Sequence, residues 1–543
     1  NPTSKRRHLP KSETLMAESV DGEDRISELP VHIIHHILCR TNLDLREAAI
    51  TCVLSKKWHY YWLARPYLLF RQCKGNSCIP LENFVKLIDR PLRIHVEQNL
   101  YLAKFFLAYR DRELDPYLDH WIESAIKVNV SVLVIHAPDI DSSYYSLPDV
   151  VYDAKKLNTL WLSRCKFEFD ISTTHIRFCS LVALFLYNVH ISDAQMQSVI
   201  DKCPSIRNIR VLACKGMSKL YVVGRLHLHS LAVLLCKLDS VIVQAPKLES
   251  FSYTECIDQG NFHPCKIDIL DGNNTLQTLE LTGSSITDQQ FRDVFHKFPN
   301  ISVLHLTRCY KLKHMEIQSE KLNKFTLSKL ESIEKIIIQA PNLSQFDFEG
   351  DKMPFLSMDS SALERARLNF FLPRTVISNF GDVDSSWYTN LNHFVQNFNY
   401  SKGLMLVIFC RKTKNILIYE NPREILIPPS HNVEIFIVPI LSIELIIGSI
   451  LFNRPSIMSI LPCTDSKVLQ VLPALEQCTQ NQNCGKECPF STRFFHKHRI
   501  LEEIISCTGT SEEEMASIWY TWLKSTSLIG KVNNFMFKWK EQA

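Results

Sequence analysis

Leu157-Asn158-Thr159-Leu160-Trp161-Leu162-Ser163-Arg164-Cys165 sets apolar side chains at the first, fourth and sixth positions of a short segment and a cysteine at the ninth. Side chains alternate across an extended strand, so the fourth and sixth positions point to one side of it. The spacing returns at Leu181-Leu184-Leu186, Ile206-Ile209-Val211-Cys214, Leu228-Leu231-Val233-Cys236 and Leu248-Phe251-Tyr253-Cys256. It continues at Leu276-Leu279-Leu281, Ile301-Leu304-Leu306-Cys309, Leu322-Phe325-Leu327 and Leu343-Phe346-Phe348, with starts 20 to 28 residues apart. A period of this length marks a solenoid, in which each unit supplies a strand and a return segment and stacking buries a core that no single unit could form.

A larger duplication lies over this period. Ile191-Ser192-Asp193 matches Ile286-Thr287-Asp288, Lys202-Cys203-Pro204 matches Lys297-Phe298-Pro299, and Gln244-Ala245-Pro246 matches Gln339-Ala340-Pro341, always 95 residues apart. A constant offset without gaps means that a block of about four repeats was copied. Inside it, Met196, Val199 and Ile200 follow the Asp193 cap at helical spacing, which predicts a return helix over 191–204.

Ahead of the repeats, Asp24 to Phe70 reads DRISELPVHIIHHILCRTNLDLREAAITCVLSKKWHYYWLARPYLLF. Pro30 suits a helix start, and Ile33, Ile34, Ile37 and Leu38 recur on one helical face. Asp44 and Glu47 fit the capping box of a second helix that buries Leu45, Ala48, Ala49, Cys52 and Val53, and Ser55 fits the cap of a third carrying Trp58, Tyr61 and Trp62. Three helices this short bury little area, so some apolar surface is expected to remain for a partner.

The order Leu29-Pro30, Ile33, Ile37, Leu45, then Val53-Leu54-Ser55-Lys56-Lys57-Trp58, resembles the F-box, with His59 where that family often has Arg. Joined to the repeats and their Ala-Pro-Asn/Lys-Leu junctions, the chain resembles plant F-box proteins with leucine-rich repeats. The resemblance implies docking onto the Skp adaptor of a cullin-RING ubiquitin ligase through Leu29, Pro30, Ile33, Ile34, Ile37, Leu45, Leu54, Ser55 and Trp58. It also implies that the repeats present a protein target, with the ubiquitin chemistry on other subunits. A ligase-independent interaction scaffold is the alternative.

The expected fold is α/β. An N-terminal three-helix F-box (24–70) follows a disordered leader (1–23). A linker and the start of the solenoid occupy 71–150, a curved leucine-rich-repeat solenoid of parallel strands plus return helices 151–370, and a mixed α/β cap 371–543. In that cap, 385–400 fits an amphipathic helix, and Leu404 to Phe409, Asn415 to Glu420, Ile435 to Val438 and Ser456 to Leu461 read as strands.

Residues flanking the inward positions face solvent on the concave side of such a solenoid. They include Trp161, Phe185, Tyr187, Arg210, His305, Gln345, Asp347 and Glu349, the candidate target-binding set. Aromatics and Arg dominate interface energetics. The competing reading folds the linker Ile79 to Tyr145 over them as core.

Composition excludes several functions. The chain of 543 residues is 46% hydrophobic with 14 glycines, and a net charge of +4 gives no nucleic-acid footprint. Lys5-Arg6-Arg7-His8 reads as part of a solvated tail. Of 18 cysteines, Cys165, Cys214, Cys256 and Cys309 hold equivalent repeat positions, as reduced buried thiols do in a cytoplasmic or nuclear protein. Val433 to Phe452 is apolar, yet Glu444 near its centre would cost roughly 2.5–3.5 kcal/mol in a bilayer, so a buried strand is expected and no membrane span. Cys478, Cys484, Cys488, His496 and His498 invite zinc, but only Cys484 and Cys488 have ligand spacing, and a polar loop before a final helix is the simpler reading. Phosphate-loop and dinucleotide motifs are missing, and His32, His35 and His36 have no partnered acid or nucleophile. No catalytic residue, metal or cofactor is expected.

Overall fold

The computed structural model describes residues 29–39, 55–72, 79–140, 143–172, 176–258, 261–270, 275–350, 352–359 and 362–372, and beyond them the strands 404–410, 433–437, 455–460, 499–508 and 533–541. The leader, the second expected helix with Leu45 and Leu54, the segments 385–400 and 415–420, and the Cys478–His498 cluster lie outside the described residues. The chain divides into two compact units, Asn1–Val134 and Ile135–Ala543.

In the first unit, α1 (Val31–Cys39) begins after Pro30, whose carbonyl accepts from the amides of Ile33 and Ile34 at 2.8 and 3.1 Å. Ser55 caps α2 (Lys56–Leu63), its hydroxyl accepting from the Trp58 amide at 3.2 Å. Ile34 and Leu38 of α1 meet Trp58, Tyr61 and Trp62 of α2 in a small buried core, with Leu29 and Leu63 at its margin. The buried Arg65 guanidinium stacks on the Trp62 ring at 3.6 Å and donates to the Trp62 carbonyl, so its charge is met by a ring face and a backbone dipole. After α2, strands Tyr67–Arg71 and Lys104–Ala108 pair in parallel, Leu68 opposite Phe105 and Phe70 opposite Leu107. A parallel pair needs a long crossover, supplied by α3 (Leu81–Glu97). The next helix, α4 (Asp115–Lys127), is tied to α3 by Trp121 Nε1 donating to Asp89 at 2.6 Å.

The second unit is a parallel-strand solenoid. We label its strands β1 (Thr159–Ser163), β2 (Ala183–Tyr187), β3 (Asn208–Leu212), β4 (Ser230–Cys236), β5 (Ser250–Glu255), β6 (Thr278–Thr282), β7 (Val303–Thr307), β8 (Lys324–Ser328), β9 (Gln345–Gly350) and β10 (Arg365–Leu372). Each pairs in parallel with the next. The expected inward residues, from Leu160 and Leu162 to Phe346 and Phe348, are buried without exception, and Ala366 and Leu368 extend the set. Cys165, Cys214, Cys236 and Cys309 lie buried, while Cys256 is half-buried.

Among the described residues of this unit, return helices occur twice: α5 (Asp193–Asp201), within the helix expected over 191–204, and α6 (Asp288–Lys297). The other returns include strands. Lys219–Val223, Ser240–Gln244 and Lys266–Ile269 pair in parallel, as do His314–Gln318, Lys335–Gln339 and Phe355–Asp359. Repeat length explains most of the difference. Ala183 to Asn208 and Thr278 to Val303 each advance 25 residues, enough for a helix of nine or ten, whereas Lys324 to Gln345 advances 21. Ten helical residues at about 1.5 Å and five extended ones at about 3.3 Å span the same depth, so a short repeat crosses it as a strand.

The copied block is visible in detail. Ser192 with Gln195, and Thr287 with Gln290, form reciprocal capping boxes. Asp193 accepts from the Ser218 amide at 2.7 Å, and Asp288 from the Lys313 amide at 2.8 Å, each clamping the start of the next return strand. One difference between the copies is that Gln195 Nε2 also donates to the carbonyls of Phe167 and Phe169 at 3.1 and 3.3 Å, whereas among the described residues Gln290 Nε2 has no such partners. Gln195→Ala is therefore expected to cost about 2 kcal/mol and Gln290→Ala about 1 kcal/mol, read as the shift in urea midpoint of the two variants.

Parallel pairing continues beyond β10 through Leu404–Cys410, Val433–Ile437 and Pro455–Ile460, so the ladder runs on where the sequence period fades. Arg499–Thr508 is a strand paired antiparallel with Asn533–Glu541.

Candidate interaction surfaces

The first surface is on α1. Ile33 and Ile37, one turn apart, are 38% and 37% exposed, with Val31 and Pro30 exposed beside them. Ile34 and Leu38 lie about 100° around the helix and point inward, so the four apolar residues expected on one face divide into two stripes. Of the expected docking set, Ile34 at 0% and Trp58 at 2% exposure lie in the core beneath the exposed stripe. Leu29 is half-buried at the edge of that core, and Ser55 serves as the α2 cap. His32 and His36 are exposed. His35 is half-buried with its ring edge-on to Tyr61, and burial, helped by the nearby His95, lowers its pKa.

The second surface is the solvent face of the ladder. Strand register sets Trp161, Phe185, Arg210, Ala232, Ser252, Glu280, His305, Thr326, Asp347 and Arg367 side by side in one row. Five of the eight sequence-selected residues stand in it. Tyr187 and Glu349 fall in the adjoining row on one side, and Gln345 in that on the other. Trp161 and Tyr187 are 43% and 46% exposed, so they are not core; Phe185 is half-buried and Arg210 exposed. The rings touch: His136 lies 5.6 Å from Trp161 and Trp161 5.5 Å from Phe185.

Farther along the row the polar groups answer one another. Glu280 accepts from Ser252 Oγ at 2.8 Å and lies 3.6 Å from His305 Nδ1. Burial lowers the His305 pKa and outweighs the pull of Glu280, so the ring is neutral and the contact is a weak dipolar one. Asp347 lies 3.8 Å from Arg367 Nε, and Glu349 takes the Ser328 hydroxyl and Lys329 Nζ at 3.4 Å. Glu280 and Arg367, absent from the sequence-selected set, carry the same signal as Trp161: each lies four residues after the first apolar position of its repeat, Leu276 and Leu363.

Beneath the face, Glu255 stands opposite Cys236 in the ladder, where neighbouring repeats place a thiol. It is 1% exposed; Tyr310 Oη donates to Oε1 at 3.5 Å, and among the described residues Oε2 has no hydrogen-bond partner. Burial pushes its carboxyl pKa up to about 7, against the opposing pull of the Cys265 backbone, Tyr310 and Lys311. Among the described residues no group of three or more His, Cys, Asp or Glu side chains is arranged to hold a metal, and no helix is long and apolar enough to cross a membrane.

Comparison with known proteins agrees with the ladder. A family model for the leucine-rich repeats of the FBD-associated F-box protein At5g56370 matches residues 118–274, and one for the leucine-rich-repeat domain of At1g61320/AtMIF1 matches 256–380. The F-box/FBD/LRR-repeat protein At1g13570 of Arabidopsis thaliana is 30% identical over 188 residues, 34% of this chain and 43% of that protein. The F-box/LRR-repeat protein At3g03360 of the same plant is 25% identical over 333 residues, 58% of this chain and 63% of that protein. The chain thus spans less than two thirds of the length of these relatives. Repeat period, parallel ladder, family models and relatives together support a plant F-box/leucine-rich-repeat protein.

Proposed function

We propose that the chain is the non-catalytic, substrate-recognition subunit of an SCF-type cullin-RING ubiquitin ligase, acting in the cytoplasm or nucleus. In this reading the α1 stripe docks the Skp adaptor and the ladder face holds a protein target. Tethering raises the target's effective concentration at the ubiquitin-loaded enzyme without any active site in this chain. The observation that carries the reading is the stripe itself: Val31, Ile33 and Ile37 stay exposed beside Pro30 over a core already sealed by Ile34, Leu38 and Trp58. Exposed apolar residues in one stripe on a small helical unit mark a surface made for another protein.

The test is co-purification of the full chain with the Skp adaptor. Ile33→Asp with Ile37→Asp is expected to reduce adaptor affinity by about a hundredfold or more, because two carboxylates would be desolvated in an apolar interface, while the thermal midpoint stays unchanged. Wild-type chain that fails to bind the adaptor would leave the ligase-independent scaffold as the better reading.

A further inference from the structure

We infer that the aromatic end of the ladder face binds an extended, acidic protein segment: an apolar side chain rests on Trp161, Phe185 and Tyr187, and a carboxylate about three residues along pairs with Arg210. The inference rests on the reading of the ladder face as the target site and names the chemical class of target that it takes.

Three observations converge. Exposed aromatic rings are confined to one end of the row. After Arg210 it continues with Ala232, Ser252, Glu280 and His305, so the platform is local rather than a general property of the strands. The rings are held ready: ring contacts join His136, Trp161 and Phe185, and the turn after β1 is fixed by Arg164, which is ion-paired with Asp139 and adopts a φ of 61°. A platform ordered before binding loses little side-chain entropy when covered. Charge is the third. Elsewhere in the row Asp347 meets Arg367, but among the described residues Arg210 has no ion pair. Glu280, the next carboxylate along the row, stands three strands away, about 14 Å at the usual strand spacing.

The geometry fixes the ligand's spacing. Trp161 and Arg210 are two strands apart, about 10 Å, which an extended chain crosses in about three residues. A nucleic acid fits poorly, because it needs a series of cations for its phosphates and this row sets Glu280 and Asp347 between its two arginines, Arg210 and Arg367.

The probe is a set of fluorescent ten-residue peptides, each with one Leu or Trp and one Glu at separations of one to six residues in a Gly/Ser background, titrated by anisotropy into the full chain co-purified with its adaptor. A separation of about three residues is expected to bind best, and replacing Glu by Lys to weaken binding about tenfold or more. Arg210→Glu is expected to reverse that preference, and Trp161→Ala to weaken every peptide; both side chains are exposed, so thermal midpoints should not move. Equal affinity for the Glu and Lys peptides, an Arg210→Glu variant with unchanged preference, or no binding by any peptide would overturn the inference. Proximity labelling separates this failure from that of the underlying reading. Targets lost by Trp161→Ala despite indifferent peptides would sink only the peptide class, whereas targets unaffected by Trp161→Ala and Asp347→Ala would sink the ladder face as the target site.

Discussion

Trp58→Ala is expected to cost about 3–5 kcal/mol, measured as loss of the first-unit unfolding transition in urea, and to abolish adaptor binding although Trp58 itself is buried. The core between α1 and α2 includes Ile34, Leu38, Trp58, Tyr61 and Trp62, and one of its two indoles is removed. Two short helices cannot collapse far around such a hole, because each is marginal without the other and most of their stability comes from the shared apolar face. Trp58→Phe separates packing from polarity. The indole Nε1 is buried with no hydrogen-bond partner among the described residues, so replacing it with a phenyl ring discards an unsatisfied donor while keeping most of the apolar contact, and should cost less than about 1.5 kcal/mol. Ile33→Asp with Ile37→Asp would lose the adaptor with the fold intact; Trp58→Ala would lose both. That ordering distinguishes the residues that touch a partner from those that hold them.

The ladder was legible because one physical constraint repeats. Positions such as Leu160 and Leu162 must face a core that exists only by stacking, so their spacing cannot drift. The same parity then placed Trp161, Phe185, Arg210, His305 and Asp347 in one solvent-facing row. What returns between strands was less legible. Ile191 to Pro204 announces its helix through a cap and helical spacing, but Val241-Ile242-Val243 is a short apolar run, which periodicity alone does not assign, and the repeat length had to decide. Beyond β10 the strand Leu404–Cys410 is apolar throughout, so alternation gave no register, and its parallel pairing with β10 emerges only in three dimensions. On α1, four apolar residues at i, i+1, i+4 and i+5 suit either a single broad face or two stripes, and the packing against Trp58 decides which stripe stays exposed.

Glu255 carries the second large effect, a pH dependence of stability that Glu255→Gln should remove. Its folded pKa, raised to about 7 by burial, stands above the ordinary carboxylate value of 4.5. Between those values the folded chain keeps a proton that the unfolded chain releases, so stability is full below pH 4.5 and is lost as pH rises through 7. The loss amounts to about 3 kcal/mol, at about 1.36 kcal/mol per pH unit. Glutamine keeps an acceptor for Tyr310 and never ionises. The variant should therefore match the wild type near pH 4.5 and exceed it by about 3 kcal/mol at pH 8, with urea midpoints measured across that range. Glu255→Cys, which restores the thiol found at Cys236 and Cys309, should lose the same pH dependence, since a buried thiol stays neutral at pH 8. Parallel stability curves for wild type and Glu255→Gln would mean that the carboxylate is already ionised in the fold, with water or a cation reaching Oε2. The retention of a carboxylate where the ladder elsewhere has thiols would then reflect a bound partner rather than a tolerated cost.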